Sequence, residues 1–282
     1  MPELPEVETV ARGLGAMLTG RRLVHVATAR GDLRAPFPKD FAKRLEGRRV
    51  CDIRRRAKYI LIELDQDLIW LIHLGMTGKF TVHPPRSPQP LDDPHDHVRF
   101  DTDDGAHVRF NDPRRFGVMD LLHRSELTTH KMLAELGPEP FDPALDDASF
   151  SASLAGKRTP IKSALLDQRV IAGLGNIYVS EALFLAGISP KRLAGSVAGA
   201  RAARLLPAIR KVLDAAIKAG GSTLRDFAGA SGELGYFQHR FTVYDREGQK
   251  CPGCDCNVAA TGGIQRMVQA GRSTFYCPRK QR

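Results

Sequence analysis

A proline in second place with a glutamate after it offers a nucleophile beside a proton carrier, and this chain opens Met1-Pro2-Glu3-Leu4-Pro5-Glu6. Trimming of Met1, which a small second residue favours, makes Pro2 a free secondary amine. α-Amino groups titrate near ~8, so such an amine is nucleophilic around neutral pH. Its attack on an aldehyde-like carbon gives an iminium ion, an electron sink that loosens neighbouring C–H and C–O bonds. Glu3 can give or take the protons involved. The same residues also suit a helix start, with Pro5 at the first helical position and Glu6 and Glu8 favoured by the helix dipole.

Other residues with chemistry lie further along. Arg54-Arg55-Arg56-Ala57-Lys58-Tyr59 runs into an apolar strand, and alternation puts Arg56 and Lys58 on one face. Charge runs of this kind are usually solvated edges. In Asn111-Asp112-Pro113-Arg114-Arg115-Phe116-Gly117, Pro113 ends the ladder and leaves Arg114 and Phe116 at a tip. Arginine can pair with phosphates or base edges, and an exposed phenylalanine can wedge between stacked bases. On spacing alone Phe116, and Met76 in His73-Leu74-Gly75-Met76, equally suit a core. Gly173-Leu174-Gly175-Asn176 allows a tight turn in which Asn176 caps a helix whose free N–H groups could hold an anion. No strand precedes it, which excludes a dinucleotide fingerprint.

Cys251, Cys254, Cys256 and Cys277 lie in the last 32 residues, a metal-site pattern rather than a disulfide framework. Structural zinc takes four ligands in a tetrahedron. Cys251-Pro252-Gly253-Cys254 and Cys277-Pro278-Arg279 read as two knuckles, but the second is completed by Lys280 where a cysteine is needed. Cys256 is the candidate substitute, and without it three thiols leave an open, weaker site. Cys51, in a strand pattern, reads as a buried thiol.

The elements that must position these groups change character along the chain. A first helix is expected from Pro5 to Leu18. Short apolar runs then follow at Leu23–Val26, Ile60–Leu64 and Leu68–Ile72. A hairpin is expected where His97–Phe100 and His107–Phe110 flank Asp103-Asp104-Gly105. Residues 83–96 and the proline-rich 137–143 read as loop and linker. Helical spacing then covers Ile161–Asp167, Asn176–Ala186 and Val197–Ala219, and a Cys- and Gly-containing hairpin closes the chain.

The 282 residues carry 42% hydrophobic and 26% charged side chains, which excludes a disordered chain; no apolar run is long enough for a membrane helix and no basic-then-apolar leader is present. The expected location is cytoplasmic. Net charge is +10, with 20 Lys and Arg against 8 Asp and Glu from residue 157 onward. Such a basic half favours a polyanionic partner, because cations that neutralise phosphates release condensed counterions.

Seven ordered motifs together resemble the bacterial formamidopyrimidine-DNA glycosylases, which are also abasic-site lyases. They are Pro2–Glu6, Arg56–Tyr59, His73–Gly78, His95–Val98, Asn111–Gly117, Gly173–Tyr178 and Gly271–Cys277. The resemblance implies an α+β protein: an N-terminal β-sandwich domain with its helix (1–136), a linker (137–150), a helix–two-turn–helix domain (151–243) and a zinc-finger-type hairpin (244–282). DNA would lie between the domains. Pro2 would attack C1′ of the damaged nucleotide and Glu3 would move protons. Lys58 and Arg272 would hold phosphate and support β- and δ-elimination, with Asn176 completing the grip. His95, Arg114 and Lys157 would be further DNA contacts, and Met76, Arg114 and Phe116 would fill the gap left by the extruded nucleotide. Cys251, Cys254 and Cys277, with Cys256 standing in for the residue replaced by Lys280, would hold one Zn²⁺. The partner would be duplex DNA with oxidised purines or abasic sites, bound by a monomer. Arg225 stands where the family commonly has lysine, which bears on lesion preference. Two other readings are an endonuclease VIII-like enzyme for oxidised pyrimidines and a catalytically silent DNA-binding protein; Pro2, Glu3 and Lys58 argue against the latter.

Overall fold

Glu3 caps the first helix, α1 (Leu4–Leu18), and its N–H donates to Glu6 Oε2 at 2.9 Å. The helix therefore begins one residue before the expected start, with Pro5 second. The computed structural model describes residues 1–222, 235–255 and 257–282. They form two compact units: Met1–Ala134 with Ala219–Tyr236, and Glu135–Lys218 with Phe237–Arg282.

The first unit is a sandwich of two four-stranded antiparallel sheets. One has the order β1 (Leu23–Thr28), β6 (Asp96–Thr102), β7 (His107–Asn111), β5 (Lys79–His83). The other runs β2 (Val50–Arg56), β3 (Tyr59–Leu64), β4 (Leu68–His73), β8 (Val118–His123). The expected β6–β7 hairpin is present, with Phe100 opposite Val108 and Gly105 at φ +91° in its loop. Trp70 on β4 is fully buried. Its ring meets Phe80 and Phe100 of the other sheet at 6.4 and 5.8 Å and Phe41 of the short helix α2 (Phe41–Leu45) at 5.8 Å. Helix α1 adds Val7, Val10, Leu14 and Leu18 to the same core, and Glu8 on it pairs with Arg55 of β2 at 2.8 Å.

Cys51 is exposed, not buried as expected. The β2–β3 register shifts between Val50 and Asp52, and the extra residue of a bulge turns away from the face its neighbours share.

The second unit contains α3 (Asp147–Leu154), α4 (Ile161–Leu166), α5 (Asn176–Ala186) and α6 (Ala200–Lys218), followed by α7 (Val258–Thr261) and the hairpin β9 (Gln265–Gln269), β10 (Arg272–Tyr276). The hairpin turns through Ala270 and Gly271, both at positive φ (47° and 73°), the type I′ geometry that matches strand twist. Among the described residues no helix is long and apolar enough to cross a membrane.

Candidate functional site

Pro2 is buried beside a half-exposed Met1, and Glu3 and Glu6 are each only 3% exposed. Glu6 is the hub of this amino end. One oxygen takes the Glu3 N–H, and the other accepts the Ser222 N–H at 2.8 Å and the Ser222 hydroxyl at 3.0 Å. Gly221, at φ +79°, lies so close that an added Cβ would sit 3.0 Å from Glu6 Oε1. The carboxylate thus joins the catalytic candidates to Gly221 and Ser222, just before segment 223–234. Arg225, on which the lesion-preference expectation rests, falls in that segment and outside the described residues.

Lys58 is buried in the two-residue turn between β2 and β3, where Ala57 takes φ +52°. The turn interrupts the strand, so Arg56 and Lys58 do not simply share one strand face as alternation suggested. His73 follows on β4. Burial, with the charges of Lys58 and Arg34, holds its pKa down to about 4. It is therefore neutral at pH 7, and its Nδ1 accepts the Gly75 N–H at 3.0 Å. Its ring lies 5.0 Å from that of Tyr59, whose own hydroxyl burial pushes up.

Met76 and Phe116 are 39% and 40% exposed, which settles against a core role for either. Their turns are built as one piece. A Cβ on Gly75 would lie 2.4 Å from the Phe116 carbonyl carbon, so only glycine allows the approach. Asp112, fully buried, accepts from the Thr77 hydroxyl with one oxygen and from the Gly117 N–H at 2.8 Å with the other. Arg114 lies 4.6 Å above the Phe116 ring, and its N–H donates to Thr77 Oγ1 at 3.3 Å. His95 is exposed at the same rim, its carbonyl accepting the Asp112 N–H at 3.0 Å.

In the second unit Asn176 is the first residue of α5, and Gly175, not Asn176, occupies the cap position. Its side chain instead donates to the Ser273 carbonyl at 2.9 Å, and its Oδ1 is buried without a partner among the described residues. The reason is steric opportunity: the β9–β10 hairpin passes the helix start and offers a carbonyl. Arg272, next to Ser273, is exposed, and so is Lys157 in the turn after α3.

The sulfurs of Cys251, Cys254 and Cys277 lie within 4.8 Å of one another, with 3.4 Å from Cys251 to Cys254 and 3.6 Å from Cys254 to Cys277. Zn–S bonds of about 2.3 Å in a tetrahedron put sulfurs about 3.8 Å apart, so the three fit zinc. Cys251 and Cys277 are free thiols, while Cys254 is disulfide-bonded in this structure, so binding through all three requires its reduction. Burial pushes the Cys251 thiol up. Cys256 lies outside the described residues.

Three residues that sequence reasoning passed over hold these groups in place. Asp112 does so for the two turns. Lys162 on α4, fully buried, donates to the Ser273 carbonyl at 2.8 Å and the Thr274 hydroxyl at 2.6 Å, beside Arg272. Glu181 on α5 receives the N–H groups of Thr242, Val243 and Tyr244 at 2.8–3.0 Å. An acid within an otherwise apolar helical stretch was the available signal for Glu181. Lys162 and Asp112 had none.

Comparison with known proteins covers the whole chain. Residues 1–119 match the formamidopyrimidine-DNA glycosylase N-terminal domain, and residues 136–228 match the H2TH domain of the same enzymes. The chain is 60% identical to the formamidopyrimidine-DNA glycosylase of Rhodospirillum centenum, with all of both chains covered. It resembles the crystal structure of the MutM (Fpg) protein of Thermus thermophilus with a TM-score of 0.86, at 39% identity and 99% and 98% coverage. It also resembles the Lactococcus lactis Fpg bound to DNA containing N7-benzyl-Fapy-dG, with a TM-score of 0.87, at 32% identity and full coverage of both chains.

Proposed function

The chain belongs to the formamidopyrimidine-DNA glycosylase family, and we propose that its proline amine carries out base excision and strand cleavage in turn. It is a base-excision repair glycosylase with abasic-site lyase activity, acting on oxidised purines in duplex DNA.

Pro2 nitrogen attacks C1′ of the extruded nucleotide, the C1′–N bond breaks, and the damaged base leaves with a proton. Ring opening at O4′, with a proton delivered there by Glu3, leaves an iminium between Pro2 and C1′. The iminium acidifies C2′–H, whose loss expels the 3′ phosphate; a second elimination expels the 5′ phosphate. Lys58 holds phosphate and supports the first elimination, and Arg272 supports the second. Asn176, His95, Arg114 and Lys157 bind the DNA backbone and its neighbourhood. Met76, Arg114 and Phe116 occupy the space the nucleotide vacates, since chemistry at C1′ requires leaving the stack. Cys251, Cys254 and Cys277 would hold a structural zinc ion, which when bound cross-links the two knuckles, with Cys256 the candidate fourth ligand.

The observation that carries this reading is the amino end. Glu6 pins the Glu3 N–H and fixes Pro2 at the head of α1, so removing the exposed Met1 uncovers an amine beside a carboxylate. Borohydride reduction during turnover tests it, on duplexes carrying 8-oxoguanine opposite cytosine, a ring-opened purine or thymine glycol. The expected result is DNA trapped on the N-terminal residue with both purine lesions. An adduct on Lys58, or none, overturns the mechanism; trapping with thymine glycol alone favours the endonuclease VIII-like reading.

A further inference from the structure

Lys280 stands where the second knuckle should supply a thiol, and its side chain does not simply point to solvent. It crosses the first knuckle at Gly253, where an added Cβ would meet Lys280 Nζ at 2.3 Å, Cδ at 2.8 Å and Cε at 3.0 Å. Any other residue at 253 would push the lysine out. Beyond Gly253 the ammonium sits 4.1 Å from the ring centroid of Phe184 on α5, well inside the ~6 Å range of cation–π attraction. The backbone N–H of Lys280 donates to Cys277 Sγ at 3.5 Å. Phe184 itself belongs to one apolar cluster with Cys251, Val243, Ile264, Phe275 and Cys277. Lys280 therefore joins the Cys277 turn, through its backbone N–H, to the Cys251–Cys254 turn and helix α5, through its side chain.

We propose that the Lys280 ammonium is the finger's built-in cation, a positioning residue that links both knuckles to α5 and keeps the Arg272 hairpin in place when no metal is bound. A fourth zinc ligand ties the two knuckles to each other only through the ion. Lysine at this place ties them directly, and adds the helix. Zinc in the remaining three-thiol site then adds to an order that already exists. The inference rests on contacts within the finger and on none of the iminium chemistry, so the two can fail separately.

Hydrogen exchange in β9 and β10 of the full chain, under reducing conditions before and after chelation, reads this directly. Metal analysis follows the zinc, and exchange in α1 reports any global unfolding. The wild-type hairpin should keep its protection when zinc is removed. Lys280→Met, which keeps the stem and loses the charge, should exchange about tenfold faster once chelated. Phe184→Leu, which keeps apolar volume and loses the ring face, should do the same. Lys280→Cys should bind zinc more tightly than wild type and become dependent on it, losing protection on chelation. A chelated wild type that exchanges as fast as chelated Lys280→Met overturns the proposal. So does full protection in chelated Lys280→Met or Phe184→Leu.

Discussion

The two ends of the chain each carry proposed site residues, and they are held differently. At the amino end a helix start and a three-residue contact, Glu3 N–H to Glu6, are joined by one distant tie, Ser222 N–H to Glu6 across 216 residues. At the carboxyl end, Lys162 reaches Thr274 across 112 residues, Asn176 reaches Ser273 across 97, and Glu181 reaches Val243 across 62. Closing long loops costs chain entropy that local contacts do not. The finger hairpin is therefore held by several buried, directional groups across long separations, whereas the amino end adds one such tie to its own helix start. The proposed nucleophile, Pro2, sits at a largely local helix start; the proposed phosphate-binding residue, Arg272, depends on contacts from across its whole unit.

Glu3→Gln attacks the amino end where its proposed role is chemical, and it should have the largest effect. A positioned general acid or base contributes about 10²–10⁴-fold. Excision of an intact 8-oxoguanine should fall by that order, and cleavage of a preformed abasic site by much less. Single-turnover rates on the two substrates decide it; equal losses would remove Glu3 from base release.

The neutral His73 gives this unit a pH dependence. Its folded pKa of about 4 lies below the ordinary 6.5, so its contribution to stability is fully present above about 6.5. That contribution is lost as pH falls from about 6.5 to about 4, and amounts to at most about 3 kcal/mol. His73→Asn keeps an acceptor for the Gly75 N–H and removes the titration. Urea unfolding at pH 7 and pH 4.5 should show a smaller acid loss in the variant. An unchanged difference would place the acid sensitivity elsewhere.

For the carboxyl end the counterpart is Glu181→Ala. It leaves the N–H groups of Thr242, Val243 and Tyr244 without their carboxylate, and an unsatisfied buried donor costs about 1–3 kcal/mol. We expect about 2–3 kcal/mol of lost stability, with faster exchange across Gln265–Tyr276 and little change in α1. Equal loosening of α1 would dissolve the distinction between the two ends.

The same distinction explains what could be read in the chain. The first helix, the β6–β7 hairpin and α5 follow from periodicity and turn residues, and the structure places them within a residue or two of expectation. The Pro2–Glu3 pair could be singled out from sequence because it is contiguous. The bulge that exposes Cys51 was not, since register shifts leave no mark in a single strand's pattern. Nor was the exchange of roles between Gly175 and Asn176, because the competing acceptor, Ser273, lies 97 residues away. Lys162 reads in sequence as one more surface cation. Only its burial against β10 shows otherwise.

The Met76 and Phe116 turns lie between these extremes, joined across about forty residues by Asp112 and the Gly75 close approach, and they yield the smallest expected effect. Both side chains are exposed, so truncating them should barely alter unfolding. An unstacked duplex step costs a few kcal/mol, and a wedge must offset part of that. The double variant Met76→Ala/Phe116→Ala should thus bind a lesion-containing duplex about tenfold more weakly, while binding to an abasic single strand, where no stack is broken, stays unchanged. Gly75→Ala is the structural control: its Cβ would press on the Phe116 backbone at 2.4 Å and should lower stability as well as duplex binding. If the double variant weakens both substrates alike, these side chains contribute general contact area and the wedge assignment fails. If it destabilises the protein as Gly75→Ala does, they belong to the packing of the rim, and the exposed turns are part of the scaffold rather than tools mounted on it.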